Sequence, residues 1–279
     1  MKAEHFTATN EQYHASPGVS NSMVSVARNN LEKFKGRFID KTLPNKTTKA
    51  MEFGDACHKM ILGDGTITVI PPDVLAKNGA KSTNAYKAFA LAHAGESLIT
   101  VKEDRQLHKM KAVLLSVPRV AAWLNDTKAH REYPIRWTDP ETGMLLRCKP
   151  DILTASMIPD LKTAVSCDPE AFAKQALRLG YHRQAVFYPM GVQSLTGRKL
   201  PMVFCVQEKE PPYTVELIDL SEKFLERGLR EIRQTLAKIE EASISENYRS
   251  PTWGEITTVD EPRWAKYDDE YELEQETEE

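Results

Sequence analysis

The 279-residue sequence predicts an α/β fold: a central mixed β-sheet flanked by helices, with a helical N-terminal part. Three observations predict it. Helical patterning dominates up to about residue 125, and alternation of apolar and polar residues then takes over. From there the segments run βββ-αα-ββ-α, an order that places helices around a sheet rather than apart from it. A hydrophobic content of 41% is enough for a large core.

In order along the chain, residues 20–36 predict a helix that Ser20 or Ser22 caps, with Val26, Leu31 and Phe34 as an imperfect apolar stripe. A second helix runs from 49 to 62, ahead of Gly63. Pro71-Pro72 breaks the chain and 73–83 reads as a loop, followed by helices over 84–93 and 103–124, the latter interrupted at Pro118. Residues 132–137 alternate as a strand through Tyr133, Ile135 and Trp137, and Asp139 to Gly143 is a turn. Strands over 144–154 and 157–163 follow. Asp168-Pro169 places an N-cap and a first-turn proline at a helix start that Gly180 ends. A helix over 181–195 comes next, then strands over 202–207 and 213–217 around Pro211-Pro212. The last helix starts at Ser221, with Phe224, Leu225, Leu229, Ile232, Leu236 and Ile239 on one face.

No apolar run approaches a bilayer-spanning length and the N-terminus has no secretory pattern, so a cytoplasmic protein is expected. The four cysteines, Cys57, Cys148, Cys167 and Cys205, form no C-x-x-C pair, which argues against zinc ribbons and redox dithiols and for reduced core residues. The net charge of −3 conceals an asymmetry. The last thirteen residues hold eight acids and no base, so the remainder carries +5. Between Arg28 and Lys49, seven basic residues face only Glu32 and Asp40. A polyanion partner fits that distribution, as does a solvated helix face.

The stretch Lys149 to Ala164, KPDILTASMIPDLKTA, carries the chemistry. If 144–154 and 157–163 form a hairpin turning at Ala155-Ser156, Asp151 lies directly across from Asp160, with Cβ atoms about 4.5–5.5 Å apart. Lys162 shares their face because side chains repeat with period two. Like charges so placed repel, and one lysine offsets half of them. A hard divalent cation does better, and oxygen ligands suit Mg²⁺ or Mn²⁺. The alternative is a surface cluster with Lys162 as a salt-bridge partner. The apolar neighbours Ile152, Leu153, Met157, Ile158 and Leu161 argue against it.

Pro150-Asp151 followed by Asp160-Leu161-Lys162 resembles the PD…(D/E)-x-K pattern of the PDDEXK nuclease superfamily. Gly54 to His58 resembles the G-x-x-x-H helix of its RecB-like branch, and Tyr181 to Tyr188 resembles that branch's Y-x-x-Q-x-x-x-Y helix. More closely, the chain is similar to the nuclease domain of RecE-type exodeoxyribonuclease VIII from phages and prophages. That likeness runs through Tyr13-His14, Val19 to Ser22, Met51 to Gly54, Gly79 to Thr83, Glu132 to Trp137 and Pro262 to Trp264.

The resemblance implies a restriction-endonuclease-like core and one exonuclease domain over 1–266, with a helical part to 125 and a catalytic core over 126–245; the acidic composition of 267–279 predicts a disordered tail. The resemblance also implies His58, Asp151, Asp160 and the Leu161 carbonyl as metal ligands. Lys162 would position or activate the attacking water, and Glu132 would stand at the edge of the site. Gln184 and Tyr188 would brace it. Candidate DNA contacts are Ser22, Arg28, Lys33, Lys35, Arg37, Lys81 and Ser82. The implied activity is Mg²⁺-dependent digestion of linear double-stranded DNA from 5′ toward 3′, with Mn²⁺ able to substitute. It would leave 3′ single strands for a RecT-type annealing protein. A ring-shaped homo-oligomer, a tetramer, in the cytoplasm of a bacterial host is also implied. No clustered C-terminal cysteines follow Cys205, so no iron–sulfur cluster is expected. Two other readings stay open: a RecB-like single-strand nuclease, and a non-catalytic DNA-end-binding scaffold. Residue by residue, bland roles stand beside these: a core hydrogen bond for His58, a backbone tie for Gln184, core packing for Tyr188 and an N-cap for Ser22.

Overall fold

The structure, a computed structural model, describes residues 3–44, 47–250 and 252–260. The acidic stretch 267–279 and the Pro262 to Trp264 motif lie outside the described residues, as does Lys46 of the basic stretch.

The first strand, β1 (Glu4–His5), and the short helix α1 (Asn10–Ala15) precede α2 (Asn21–Asn29) and α3 (Leu31–Phe34), which continues as a π-helical turn over Lys35–Ile39. The helix expected over 20–36 is therefore broken. Asn30 is extended and caps α3 by accepting the Lys33 N–H, while Ser20 caps α2. The next helix, α4 (Lys49–Leu62), has the expected limits, set by a Thr48 N-cap and Gly63 in the left-handed conformation. A parallel pair that the sequence does not announce, β2 (Ile67–Val69) with β3 (Ser97–Ile99), brackets α5 (Asn84–Ala92). Three-residue strands are too short for alternation to register. Helices α6 (Val101–Ser116) and α7 (Pro118–Asn125) follow, split at Pro118 as expected.

The expected central sheet is divided. One ladder is antiparallel, with β1 beside β5 (Ile135–Thr138) and β5 beside β6 (Leu145–Cys148). Another is mixed, with β8 (Ile158–Ala164) parallel to β9 (Met202–Glu208) and β9 antiparallel to β10 (Val215–Ile218). Between them, β4 (His130–Arg131) pairs with β7 (Ile152–Leu153). The strand expected over 144–154 is thus two strands separated at Lys149–Asp151.

Helix α8 (Pro169–Leu179) ends and α9 (Tyr181–Thr196) begins at one residue, Gly180, whose φ of +81° only glycine adopts without cost. That corner lays α9 over the core, where Phe187 packs on Trp137. The long helix α10 (Glu222–Ser245) crosses α9 at Gly228. A Cβ there would stand 2.3 Å from the His182 carbonyl oxygen, a backbone atom that cannot step aside. Gly228→Ala is therefore expected to destabilise the protein by about 1–3 kcal/mol, read as a lower urea midpoint. An unchanged midpoint would show that the helices separate freely.

At the same crossing, the Glu231 carboxylate accepts from Arg183 at 2.5 Å, His182 at 3.0 Å and Arg227 at 3.0 Å, and pairs with Arg28 at 3.2 Å. The four cysteines are buried and unpaired. No helix among the described residues is long and apolar enough to cross a membrane.

Candidate active site

Strand β8 is buried on both faces. Ile158 and Ala164 join the core beneath α9, while Leu161 joins the cluster that includes Leu62 of α4. In a parallel pair, alternate residues turn both backbone groups toward the same neighbour. The Ile158 N–H donates to Pro201 and the Ala164 carbonyl accepts from Lys209, so the even-numbered residues serve β9. The other edge belongs to Pro159, which has no N–H, and to Leu161.

That edge explains why the expected hairpin forms only at its turn. The Thr154 N–H donates to the Met157 carbonyl at 3.1 Å, in the expected register. Beyond it the ladder stops. Both backbone groups of Leu161 are taken by side chains: its N–H donates to Asp151 Oδ2 at 2.8 Å, and its carbonyl accepts from His58 Nε2 at 2.9 Å. Strand β7 pairs with β4 instead. Asp151 and Asp160 reach the same region, but Asp151 approaches β8 by its side chain rather than across a ladder.

The β4–β7 pairing continues past the strands. Glu132 N–H donates to the Asp151 carbonyl at 2.9 Å, and Tyr133 N–H to that of Pro150 at 3.0 Å. Glu132 adopts φ of +46°, a left-handed conformation costing about 1–3 kcal/mol for a side-chain-bearing residue. The result is that Glu132, Asp151 and His58 each offer a donor atom, all within 4.8 Å of one another. His58 Nδ1 lies 3.6 Å from Asp151 Oδ2.

A carbonyl only accepts, so His58 Nε2 carries the proton and Nδ1 turns a lone pair toward the two carboxylates. Burial lowers the His58 pKa, with Lys162 adding to the effect against Asp160 and Glu132, so the imidazole is neutral at neutral pH. Burial raises the carboxyl of Glu132, and Asp151 raises it further against the pull of Lys149. Burial also raises Asp151, against Lys162 and the Leu161 N–H. Three groups that can only accept converge on one space. The donor set, one imidazole nitrogen and two carboxylates, suits a hard or borderline divalent cation, and the backbone carbonyl fixes the imidazole's tautomer from behind.

Asp160 takes a different place from the one expected of a ligand. It is fully buried, outside the three-donor cluster, because Lys162 ion-pairs with Oδ2 and Gln184 donates to Oδ1 at 2.7 Å. Burial and then Asp151 push its carboxyl up to about 6, against the pull of Lys162. Burial opposes the charge on Lys162, but Asp160 and Asp151 outweigh it and hold the ammonium protonated. Its Nζ stands 5.0 Å from the centroid of the Tyr181 ring. The Leu161 carbonyl orients His58 here rather than facing the cluster's centre. Tyr188 is a half-buried phenol lining the site, and desolvation raises its pKa well above the usual value.

The cavity at the cluster has a volume of about 280 Å³. None of the candidate DNA contacts lines it. Arg28 is paired to Glu231 and Lys35 to Asp40, at 2.7 Å. Arg37 buries its Nε, Lys81 donates to the Leu98 carbonyl, and Ser22 bonds Ser20. Lys33 and Ser82 are exposed.

The cavity holds residues that the sequence reading left unassigned, above all Lys149. Its ammonium ion-pairs with Glu132, donates to Asn10 at 3.1 Å and lies 3.5 Å from Asp64. Lys149 directly precedes Pro150-Asp151, and that adjacency was the available signal. Tyr13 and His14 reach the cavity from α1, which Arg147 holds through the carbonyls of Tyr13, His14 and Ser16.

The family described as "PDDEXK-like domain of unknown function (DUF3799)" matches residues 22–258. No curated protein matches the sequence. A crystal structure from Eubacterium rectale, described as a "Putative exonuclease", superposes with a TM-score of 0.63 at 14% identity, covering 92% of this chain and 96% of that one. At that identity the likeness is one of fold, and it agrees with the mixed α/β core. The match over most of its length establishes that the chain belongs to the PDDEXK-like family DUF3799.

Proposed function

We propose that this chain is a Mg²⁺-dependent exodeoxyribonuclease acting on linear double-stranded DNA. The observation that carries the reading is the convergence of three acceptor-only groups, His58 Nδ1, Glu132 and Asp151, beside the Asp160–Lys162 pair. A divalent cation held by His58, Glu132 and Asp151 would supply Lewis-acid polarisation of a phosphate and a lowered pKa for a water. The chain's own residues do the rest. Lys162, protonated and half-buried, offers a positive charge where a phosphate gains negative charge. Asp160 and Gln184 fix that ammonium's position, and Lys149 holds the Glu132 carboxylate. The Leu161 carbonyl keeps the imidazole of His58 in one tautomer.

Digestion from 5′ toward 3′, a ring-shaped tetramer, supply of 3′ strands to a RecT-type annealing protein and a place in the bacterial cytoplasm belong to the same proposal. They rest on the sequence resemblance. Phosphate contacts make DNA binding weaken as salt rises.

Linear duplex labelled at either 5′ or 3′ ends tests the reading. Loss of the 5′ label first, with Mg²⁺ and not with EDTA, is the expected result. Faster degradation of single strands would favour the RecB-like alternative. Duplex binding with no cleavage in Mg²⁺ or Mn²⁺ would favour the scaffold. Independently of turnover, Mn²⁺ at about 100 times its Kd is expected to stabilise the protein by about 2.7 kcal/mol. A raised Tm reads that gain, and Glu132→Gln should diminish it. An identical Tm with and without the ion would count against the site.

A further inference from the structure

Three cavities adjoin in a row and share residues. The cavity at the metal-ligating cluster shares Glu132 with a larger one of about 680 Å³. That one shares His130 and Tyr133 with a third of about 190 Å³, which is lined by Lys128 and Arg198.

The middle cavity is walled by a column of rings. Tyr133 is sandwiched between His5, at 3.8 Å and 4° between planes, and His130, at 4.3 Å and 24°. Three local features build the column. Pairing of β1 with β5 brings His5 beside Ile135, and pairing of β4 with β7 presents His130. The left-handed turn at Glu132 sets Tyr133 between them. The Pro134 carbonyl accepts from His5 Nδ1 at 2.9 Å and fixes that ring. Both imidazoles are exposed, so the tyrosine's two faces are covered while the outer faces of the column open to solvent.

We propose that this column is a stacking platform for unpaired nucleobases of a DNA strand whose backbone passes the Glu132 side of the active site. The inference rests on the nuclease reading of that site. A base inside a duplex already has both faces stacked, whereas an unpaired one is free to extend the column with either face. Flat rings beside basic side chains are the combination that holds single strands, the rings taking bases and the cations taking phosphates. Here Lys128 and Arg198 stand at the far end, while the middle cavity carries Arg131 against Asp126 and Glu132.

The test compares binding of a labelled oligothymidylate and of an abasic strand of equal length, by fluorescence anisotropy in EDTA with the full chain. The wild type is expected to prefer the base-bearing strand by about tenfold. His5→Ala/Tyr133→Ala/His130→Ala, which removes every ring of the column, should erase that preference and leave abasic-strand affinity unchanged, while His130→Tyr keeps it. His130→Ala alone, at an exposed position, should diminish the preference and guards against a folding defect in the triple variant. Equal affinity of the wild type for both strands, or a preference that survives both alanine variants, would overturn the proposal. Because no metal or cleavage enters this comparison, such a failure leaves the nuclease reading standing. Conversely, if bis(p-nitrophenyl) phosphate, a base-free phosphodiester, is not hydrolysed with Mg²⁺ or Mn²⁺, the nuclease reading fails and the binding comparison is unaffected.

Discussion

Asp151→Asn is expected to slow Mg²⁺-dependent cleavage of linear duplex by about a thousandfold or more, while the protein stays folded. The asparagine oxygen can still accept the Leu161 N–H that Asp151 holds at 2.8 Å, so the edge of β8 keeps its partner. What disappears is one of two negative charges facing His58 Nδ1. In metal-free buffer the variant should be at least as stable as the wild type. Burial raises the carboxyls of Glu132, Asp151 and Asp160, and the charge of Asp151 raises the other two further, so removing that charge relieves the cost. Cleavage rate and urea midpoint, measured on the same preparations, check the two halves. Activity within tenfold of the wild type would remove Asp151 from the chemistry. A large drop in the midpoint would turn the lost activity into a folding defect.

Glu231→Gln is expected to be the most damaging single change outside the site, at about 3–5 kcal/mol. Three guanidinium groups and an imidazole surround that carboxylate, and Arg183 is itself buried. Neutralising it strands a buried cation where α2, α9 and α10 meet. Burial alone would raise the Glu231 carboxyl, but hydrogen bonds from Arg227, His182 and Arg183, with the charge of Arg28, pull it down to about 2. A folded-state pKa below the ordinary 4.5 means the contribution is complete above pH 4.5 and fades as pH falls toward 2. The interval corresponds to about 3 kcal/mol. Urea midpoints of wild type and variant should therefore differ at pH 7 and converge between about pH 4.5 and about pH 2. Parallel curves across that range would contradict the assignment.

The same salt-bridge hub shows where the sequence was legible and where it was not. Helix α4 could be bounded from its residues because Thr48 and Gly63 are local signals that act within one turn. Asp168-Pro169 and Gly180 bound α8 for the same reason. Arg28 reads as a free cation in sequence, and only the approach of α10, some two hundred residues later, assigns it to Glu231. The hairpin failed for a related reason. Alternation puts Asp151 and Asp160 on one face, but nothing local says that Pro159 empties one edge of β8 or that His58 arrives from α4 to take the Leu161 carbonyl. The strand β1 is two residues long and pairs across 130 positions or more, from Glu4 to Arg136 and from His5 to Ile135, so no window of sequence contains both partners.

The ligand role expected of Asp160 aside, the convergence of the aspartates, the histidine and the lysine on one region could be read, because each sits in a short motif. The inner position of Glu132 could not, because a left-handed residue at that corner sets it. Lys149 lay in plain view beside Asp151, and its partners are Asn10, Asp64 and Glu132, none of them within ten residues.

Anomalous diffraction from crystals soaked in Mn²⁺ tests the central claim most directly. A peak is expected about 2.0–2.3 Å from an imidazole nitrogen of His58 and from carboxylate oxygens of Glu132 and Asp151, with the Lys162 ammonium facing it. A peak bound elsewhere, or a fully soaked crystal in which these three side chains hold no ion, would contradict the account.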